Sequence, residues 1–389
     1  MSASTRKEWK TLPARALCAV GVEPTLSREL KKLGFTVREA GFGHVRFQSD
    51  PAGLYKALMG LRTADRVLLE AASFPAGDFD ALFAGALAAP WEAYIPKGMG
   101  IGVSKVRINR SRLTGSTTVQ AMVHKAVADR LCRRYAVDRL PEQGKCAELR
   151  VSIDKNQAAI LLDLCGDPLF KRGYRVEGGT APLRETTAAA LLLLAGWRRK
   201  FPLYDPFCGS GTILIEAALF ARNIAPGSGR AFALSDLLIG DTDTERAVRA
   251  DLASQRDFSP SHLVRLGGSD GDPRAVLMAA SNGARVRTLP PALLPDIRTL
   301  AFTEAAAPYE NESGFIITNP PYGRRLGNRE TAEAVYRDMA VLTRRFPGWK
   351  LCVITDHPGF ESFFGRAAES CLEIANGAVQ TYFFQFPPE

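Results

Sequence analysis

The sequence predicts an α/β fold. A parallel sheet ending in an antiparallel C-terminal hairpin fills residues 181–389, and a smaller α+β region precedes it. Three observations carry this expectation. Beyond residue 181, strand-length apolar runs alternate with helical stretches, the order that builds a parallel sheet. Three of those runs, Leu263–Leu266, Phe315–Thr318 and Leu351–Ile354, are mainly apolar and lack alternation, as strands buried on both faces do. The chain then closes on Leu372–Ala375, Asn376-Gly377 and Val379–Phe386, two strands about a dipeptide suited to the positive φ angles of a type I′ turn.

Each element has a local reason. Ala16–Val20 is a short apolar strand, and Glu23–Leu33 is a helix with Leu26, Leu30 and Leu33 on one face, ended by Gly34. Val37–Ala40 and His44–Phe47 flank a turn at Gly41 and Gly43. Pro51 opens a second helix with Leu54, Leu58 and Leu61 on one face, and Arg66–Ala72 is the closing strand. This is ferredoxin-like order, so residues 1–72 are expected to form such a domain. Residues 73–165 are expected as a second domain, with helices over Phe79–Ala88 and Val119–Tyr135 and strands near Ile101–Ile108, Leu149–Ile153 and Ala158–Leu164. Residues 166–180, punctuated by Gly166, Pro168, Gly173, Gly178 and Gly179, are expected as a linker. In 181–389, Thr186–Trp197 is an apolar helix, Leu203–Tyr204 ends a strand, and Ile213–Ala221 is the helix beyond a glycine turn.

Composition narrows the function. With 46% hydrophobic and 23% charged residues, global disorder is excluded. The longest uncharged apolar run, Ala188–Ala195, falls short of a membrane span, and the N-terminus lacks the apolar stretch of a secretory signal. Seven cysteines without a CxxC pair argue against a disulfide framework or a metal site, so a reducing cytoplasm is the expected compartment. The net charge of +9 is unevenly placed. Residues 1–180 hold 28 Lys and Arg against 18 Asp and Glu, a balance of +10, whereas residues 181–389 come to −1. From Ala93 to Ala128 there is no acid, while Lys97, Lys105, Arg107, Arg110, Arg112 and Lys125 all fall there. That window is expected to contact a polyanion; Lys171 and Arg172 beside Tyr174 read equally as further RNA contacts or as a solvated connector.

Three motifs carry the chemistry. The first is Asp205-Pro206-Phe207-Cys208-Gly209-Ser210-Gly211-Thr212, between a strand and a helix. Gly209 and Gly211 let backbone approach a ligand, and the helix start offers free N–H groups. It lacks the lysine of a phosphate loop and the third glycine of GxGxxG. Asp205 would repel a pyrophosphate and suits a ligand bearing positive charge, such as S-adenosylmethionine with its ammonium and sulfonium. The second motif is Gly268-Ser269-Asp270-Gly271-Asp272-Pro273: Asp270 is placed to accept from ribose hydroxyls, and Asp272 to cap a helix starting at Pro273. The usual spacing from glycine loop to acid is about 20 residues. Here Asp270 follows Gly211 by 59, so Asn223–Ser261 must form an extra element.

The third motif, Asn319-Pro320-Pro321-Tyr322-Gly323, follows the run Phe315–Thr318 directly. It suits an exocyclic amine, whose lone pair is delocalised into the base. The Asn319 side-chain carbonyl and the Pro320 main-chain carbonyl can accept its two N–H bonds, hold the nitrogen as it becomes tetrahedral and aim the lone pair at a methyl donor. Tyr322 offers a stacking face for the base. His44, His124, His262 and His357 have no suggestive partners, and Cys208 is expected as a small packing residue.

With these motifs the chain resembles the Rossmann-like, class I S-adenosylmethionine-dependent methyltransferases of exocyclic amines. More closely, it resembles the bacterial THUMP-domain guanine-N2 methyltransferases, the group that includes the 23S rRNA enzyme. The likeness runs from about Ala14 to Phe386, through Leu61–Val67, Trp91–Pro96, Leu169–Arg175, Ala181–Thr186, Asn223–Gly227 and Phe346–Trp349. It implies that residues 73–165 are a THUMP RNA-binding domain and 181–389 a methyltransferase domain. It also implies that Asp205 and Gly209 line the methionine part of the cofactor, Asp270 the ribose, and Asn319 with Tyr322 the target base; Phe207, Gly211 and Asn319 are expected as further cofactor-binding residues, and Pro320 as catalytic beside Asn319 and Tyr322. Glu304 stands where the family usually has an Asp contacting the adenine amino group. The function so implied is methylation of a guanine N2 in structured RNA, most of all 23S rRNA. A tRNA guanine, an adenine N6 or an inert RNA-binding protein are the alternatives, since the motif itself does not separate guanine from adenine.

Overall fold

A computed structural model describes residues 9, 11–175, 183–259, 262, 264–308, 312–321, 329–376 and 379–389. The N-terminal half begins in the expected order: β1 (Leu12–Leu17), α1 (Glu23–Lys32), β2 (Thr36–Gly41), β3 (His44–Ser49), α2 (Pro51–Gly60) and β4 (Arg66–Pro75). Asp50 starts α2 by accepting a hydrogen bond from the Gly53 N–H, with Pro51 preset for the first turn. Next come α3 (Phe79–Ala88), β5 (Gly100–Asn109), α4 (Ser116–Tyr135), β6 (Cys146–Asp154) and β7 (Gln157–Asp163).

These strands form one seven-stranded sheet, β2-β3-β1-β4-β7-β6-β5, and not two. The expected boundary at residue 72 falls inside β4. Its first residues pair with β1 from Leu17↔Arg66 to Ala14↔Leu69, and its length pairs with β7 as far as Pro75↔Gln157. A bulge between Glu70 and Ala72 interrupts the alternation that local reading depends on. Side chains from both expected units share one apolar core, with Leu54, Val67, Leu149 and Ile160 all buried in it.

The C-terminal half contains α5 (Glu185–Leu194), β8 (Leu203–Asp205), α6 (Thr212–Ala221), α7 (Thr242–Ser254), β9 (Leu266–Asp270), α8 (Pro273–Ala284), β10 (Asp296–Thr299) and β11 (Phe315–Thr318). It continues through α9 (Arg329–Asp338), α10 (Val341–Arg345), β12 (Lys350–Thr355), α11 (Phe360–Phe364), β13 (Ser370–Asn376) and β14 (Val379–Phe386). Its seven strands are ordered β10-β9-β8-β11-β12-β14-β13. Those from β8 to β12 run parallel, and β14 joins β12 antiparallel. The closing hairpin pairs out to Asn376↔Val379, and the turn residue Gly377 lies outside the described residues. The far edge is covered, because the Ala375 N–H donates to the Val20 carbonyl at 3.1 Å.

Three features depart from the expected pattern. The second parallel strand is β9, beginning where Leu263–Leu266 was expected to end. Its glycines are there for contact: a Cβ at Gly268 would lie 2.5 Å from Leu214 Cδ1 and 2.9 Å from the Asp205 carbonyl oxygen. Strand β10 was not anticipated, because Asp-Ile-Arg-Thr at a sheet edge carries no apolar run. The stretch 223–261 does form extra elements, a 3-10 turn at Ala233–Asp236 and α7, but they join the N-terminal half. Phe232, Leu234, Leu237 and Leu252 enter its core, and the Tyr55 hydroxyl donates to Ser235 Oγ at 3.0 Å. Among the described residues no helix is long and apolar enough to cross a membrane.

Candidate active site

The site residues converge because the strands are parallel. Asp205 ends β8, Asp270 ends β9, and Asn319 follows β11, so all three emerge at one edge of the sheet. The path goes from β8 outward to β9 and β10, then returns to β11 on the other flank of β8. Chain direction therefore reverses between β8 and β11, the crevice where open α/β sheets bind ligands.

Asp205 is only 1% exposed. Its Oδ1 accepts from the Thr318 hydroxyl at 2.6 Å and from the Phe207 N–H at 3.1 Å. Burial pushes its carboxyl up to about 7 against the pull of those two hydrogen bonds, and the nearby Asp270 adds to the rise. Among the described residues no cation pairs with this buried carboxylate. A cationic group entering the crevice would supply a counter-charge. Asp270 braces the glycine loop from the adjacent strand: its Oδ2 accepts from the Gly209 N–H and its Oδ1 from the Asp272 N–H, both at 2.9 Å. Each of those oxygens retains a lone pair for a ligand hydroxyl. Asp272 caps α8 as expected, accepting from the Arg274 N–H.

The loop itself needs both glycines. Gly209 has φ +51° and Gly211 φ +78°, the left-handed region. A Cβ on Gly211 would sit 3.0 Å from Ala279 Cβ, whereas one on Gly209 would meet nothing within 4 Å. Gly211 thus serves helix packing, and Gly209 lies under open space. Cys208 is buried, and burial raises its thiol well above the ordinary range, which suits a packing residue. Phe207 is half-buried, its ring 4.6 Å from that of Phe302 on the loop after β10. Phe302 was not singled out from the sequence, although it lies between Leu300 and Glu304. Nor was Thr318, whose hydroxyl is invisible in a run read as apolar. Glu304 is exposed on the same loop.

Asn319 carries the most telling atom. Its Oδ1 is buried and has no hydrogen-bond partner among the described residues. A buried carbonyl oxygen left unpaired is unfavourable by about 1–3 kcal/mol, and its natural complement is an N–H donor. Pro320 beside it is buried. Tyr322 lies outside the described residues.

The basic residues divide. Lys97, Lys105, Arg107, Arg110, Arg112 and Lys125 are all exposed, on the edge strand β5, the segments flanking it, and α4. Arg110 lines a shallow recess of about 490 Å³ with Ser111, Thr114 and Ser116. Lys125 pairs with Asp129 at 2.8 Å and Lys171 with Asp167 at 3.0 Å, both at the surface. Arg172 overturns its assignment, since its side chain is 1% exposed. It donates to the Leu169 carbonyl at 2.8 Å and the Arg62 carbonyl at 2.6 Å, and faces Glu216 at 3.7 Å. Tyr174 is buried beside it, donating to Glu216 at 3.0 Å. The reason is tertiary: α6 supplies a buried carboxylate that local composition does not reveal.

A parallel sheet with an acid after one central strand, a second acid on the next, and Asn-Pro-Pro after the strand on the other flank defines a Rossmann-like methyltransferase domain. Residues 172–383 match the family described as RMKL-like, methyltransferase domain, and residues 15–68 match the RlmL ferredoxin-like domain. The chain belongs to the RMKL-like methyltransferase family. It is 34% identical over 373 residues to the Bacillus subtilis (strain 168) protein named "Putative RNA methyltransferase YpsC", covering 95% of this chain and 94% of that one. It is also 34% identical over 376 residues to the ribosomal RNA large subunit methyltransferase K/L of Syntrophotalea carbinolica. That match covers 94% of this chain and 52% of the relative, so the chain spans about half of that protein. The crystal structure of SMU.472 complexed with SAH superposes with a TM-score of 0.88 at 32% identity, covering 98% of this chain and 99% of that one.

Proposed function

We propose that this protein transfers a methyl group from S-adenosylmethionine to the exocyclic N2 amino group of a guanine in structured RNA, with 23S rRNA as the substrate. The observation that carries the reading is the buried, unpartnered Oδ1 of Asn319 at the switch point of the sheet, next to the buried Asp205. The names of the relatives, which speak of RNA and of large-subunit rRNA, support the substrate class. The SAH held by SMU.472 supports the donor.

The residues fit both ligands. The cofactor supplies an electrophilic methyl group when bound. Asp205 takes the positive end of its methionine part, Asp270 its ribose hydroxyls, and the Gly209–Gly211 loop lets backbone lie against it. Phe207 and Phe302 form an apolar wall at the adenine side, with Glu304 near it. Asn319 Oδ1 and the Pro320 carbonyl accept the two N–H bonds of the amine and keep its lone pair aimed at the methyl group. No strong base is needed, because the nitrogen becomes acidic as it gains the methyl. Tyr322 stacks on the base, which must leave its helix to reach the pocket. Residues 73–165 are the RNA-binding THUMP unit in this reading, with Lys97, Lys105, Arg107, Arg110, Arg112, Lys125 and Lys171 contacting phosphates.

The test is mass-spectrometric mapping of modified nucleosides in rRNA and tRNA from a deletion strain, paired with methyl incorporation by purified protein. Loss of one guanine-N2 methylation from 23S rRNA is expected. Its loss from tRNA, or loss of an N6-methyladenine, would replace the substrate claim. Asn319→Ala is expected to lower methyl incorporation on the order of 10²-fold.

A further inference from the structure

The basic run 171–175 continues past Arg172 to a second buried contact that none of the roles above uses. Arg175 donates through Nη2 to the Leu183 carbonyl at 2.8 Å and to Thr212 Oγ1 at 2.8 Å. Its Nε faces Glu185 Oε1 at 3.5 Å, and Glu185 is 3% exposed. Thr212 is the first residue of α6, itself buried, and its hydroxyl also shares a hydrogen bond with Ser210 Oγ at 3.1 Å. Ser210 stands between the two glycines of the loop, and its carbonyl accepts from Asn282 Nδ2 at 3.0 Å. A chain of contacts therefore runs Glu185, Arg175, Thr212, Ser210, its first link an ion pair and the next two hydrogen bonds.

Electrostatics alone would not place a guanidinium here. The start of a helix carries partial positive charge, so a cation beside α6 is disfavoured. The crevice beyond it is moreover built for a positively charged ligand. What the arginine offers is a rigid planar group whose Nη2 bonds the Leu183 carbonyl and the Thr212 hydroxyl while its Nε faces Glu185, which offsets its charge.

We propose that Arg175 is a positioning residue for the methyl donor: anchored by Glu185, it fixes the Thr212 and Ser210 hydroxyls and so sets the Gly209–Gly211 loop in its ligand-ready conformation. This rests on the reading that the loop binds S-adenosylmethionine. The guanidinium acts through Thr212 and touches neither donor nor base.

The test is calorimetric titration of the full-length protein with S-adenosylhomocysteine, alongside RNA affinity by gel shift and melting temperature. A wild-type protein that does not bind S-adenosylhomocysteine overturns the functional reading beneath this one. Given wild-type binding, Thr212→Val and Arg175→Gln are each expected to weaken it roughly tenfold while RNA affinity stays within twofold. The double variant is expected to be no worse than either single one, because both break the same chain. Arg175→Lys should recover only part of the loss, since a single ammonium cannot face Glu185 with one nitrogen while bonding Leu183 and Thr212 with another. If Arg175→Gln does not fold, Thr212→Val still decides, because it removes a hydroxyl and leaves the Arg175–Glu185 pair intact. Unchanged affinity in Thr212→Val overturns the proposal, as do losses that multiply to about a hundredfold in the double variant.

Discussion

Asp205 is a carboxylate that water cannot reach, and its protonation links cofactor chemistry to stability. Its folded-state value of about 7 lies above the ordinary 3.8, so the native protein holds this proton longer than the unfolded chain does. The stability it contributes is complete below about pH 4 and is lost as pH rises through about 7. The melting temperature should fall more steeply from pH 5 to 8 in the wild type than in Asp205→Asn. A ligand cation reverses the preference, because it favours the ionised acid. Affinity for S-adenosylhomocysteine is therefore expected to tighten from pH 6 to 8 and to lose most of that dependence in Asp205→Asn. Glu185, which burial raises to about 7 against the pull of Arg175, titrates in the same range. The informative quantity is thus the difference that the Asp205 substitution makes. Arg172 supports a different kind of prediction. With its side chain 1% exposed and Glu216 at 0%, Arg172→Met takes the paired guanidinium from a buried carboxylate and leaves it the Tyr174 hydroxyl and the field of Arg62. Urea denaturation should show a loss of about 3–5 kcal/mol, with RNA affinity unchanged in the folded fraction.

At the scale of elements, strand β9 shows how a correct motif can sit on a misplaced strand. The sequence Leu-Gly-Gly-Ser-Asp looks like the end of a strand and a turn, because glycine normally punctuates. In the fold those residues are the strand, lying so close to β8 and α6 that Gly268 has no room for a side chain. Gly268→Ala is expected to destabilise by about 1–3 kcal/mol, since the Asp205 backbone cannot yield as easily as the tip of Leu214. Because Asp270 lies two residues on, the same variant should also weaken cofactor binding, which calorimetry would read directly. Strands β11 and β12 were legible for the opposite reason: they are mostly buried and apolar, so residue type marks them, while β14 was marked by the Asn-Gly turn before it. Strand β10 has an exposed, charged composition, and only its pairing with β9 makes it a strand.

At the scale of the whole molecule, the charge excess and the candidate site occupy different halves. The acid-free window forms an exposed edge at β5 and α4, while the three site residues converge on the second sheet. Neutralising Lys105, Arg107, Arg110 and Arg112 together should weaken RNA binding and flatten its dependence on salt, by a slope of about 0.7–0.9 for each phosphate contact removed. Affinity for S-adenosylhomocysteine should stay unchanged. Movement of cofactor affinity with no change in the salt slope would mean that the two halves do not divide the work this way.

The sequence by itself determined the fold class, the order of most elements and the three motifs, because periodicity, glycine placement and residue type are local properties. Tertiary structure alone decided that β4 is shared by what look like two domains, and that 223–261 completes the N-terminal core. It alone decided which cations face solvent. Arg172 and Lys171 are neighbours of equal charge, yet one is buried against Glu216, 44 positions away, and the other pairs with Asp167 at the surface. Burial of a charge depends on a partner that the fold brings from elsewhere in the chain, and no window of local sequence contains that partner.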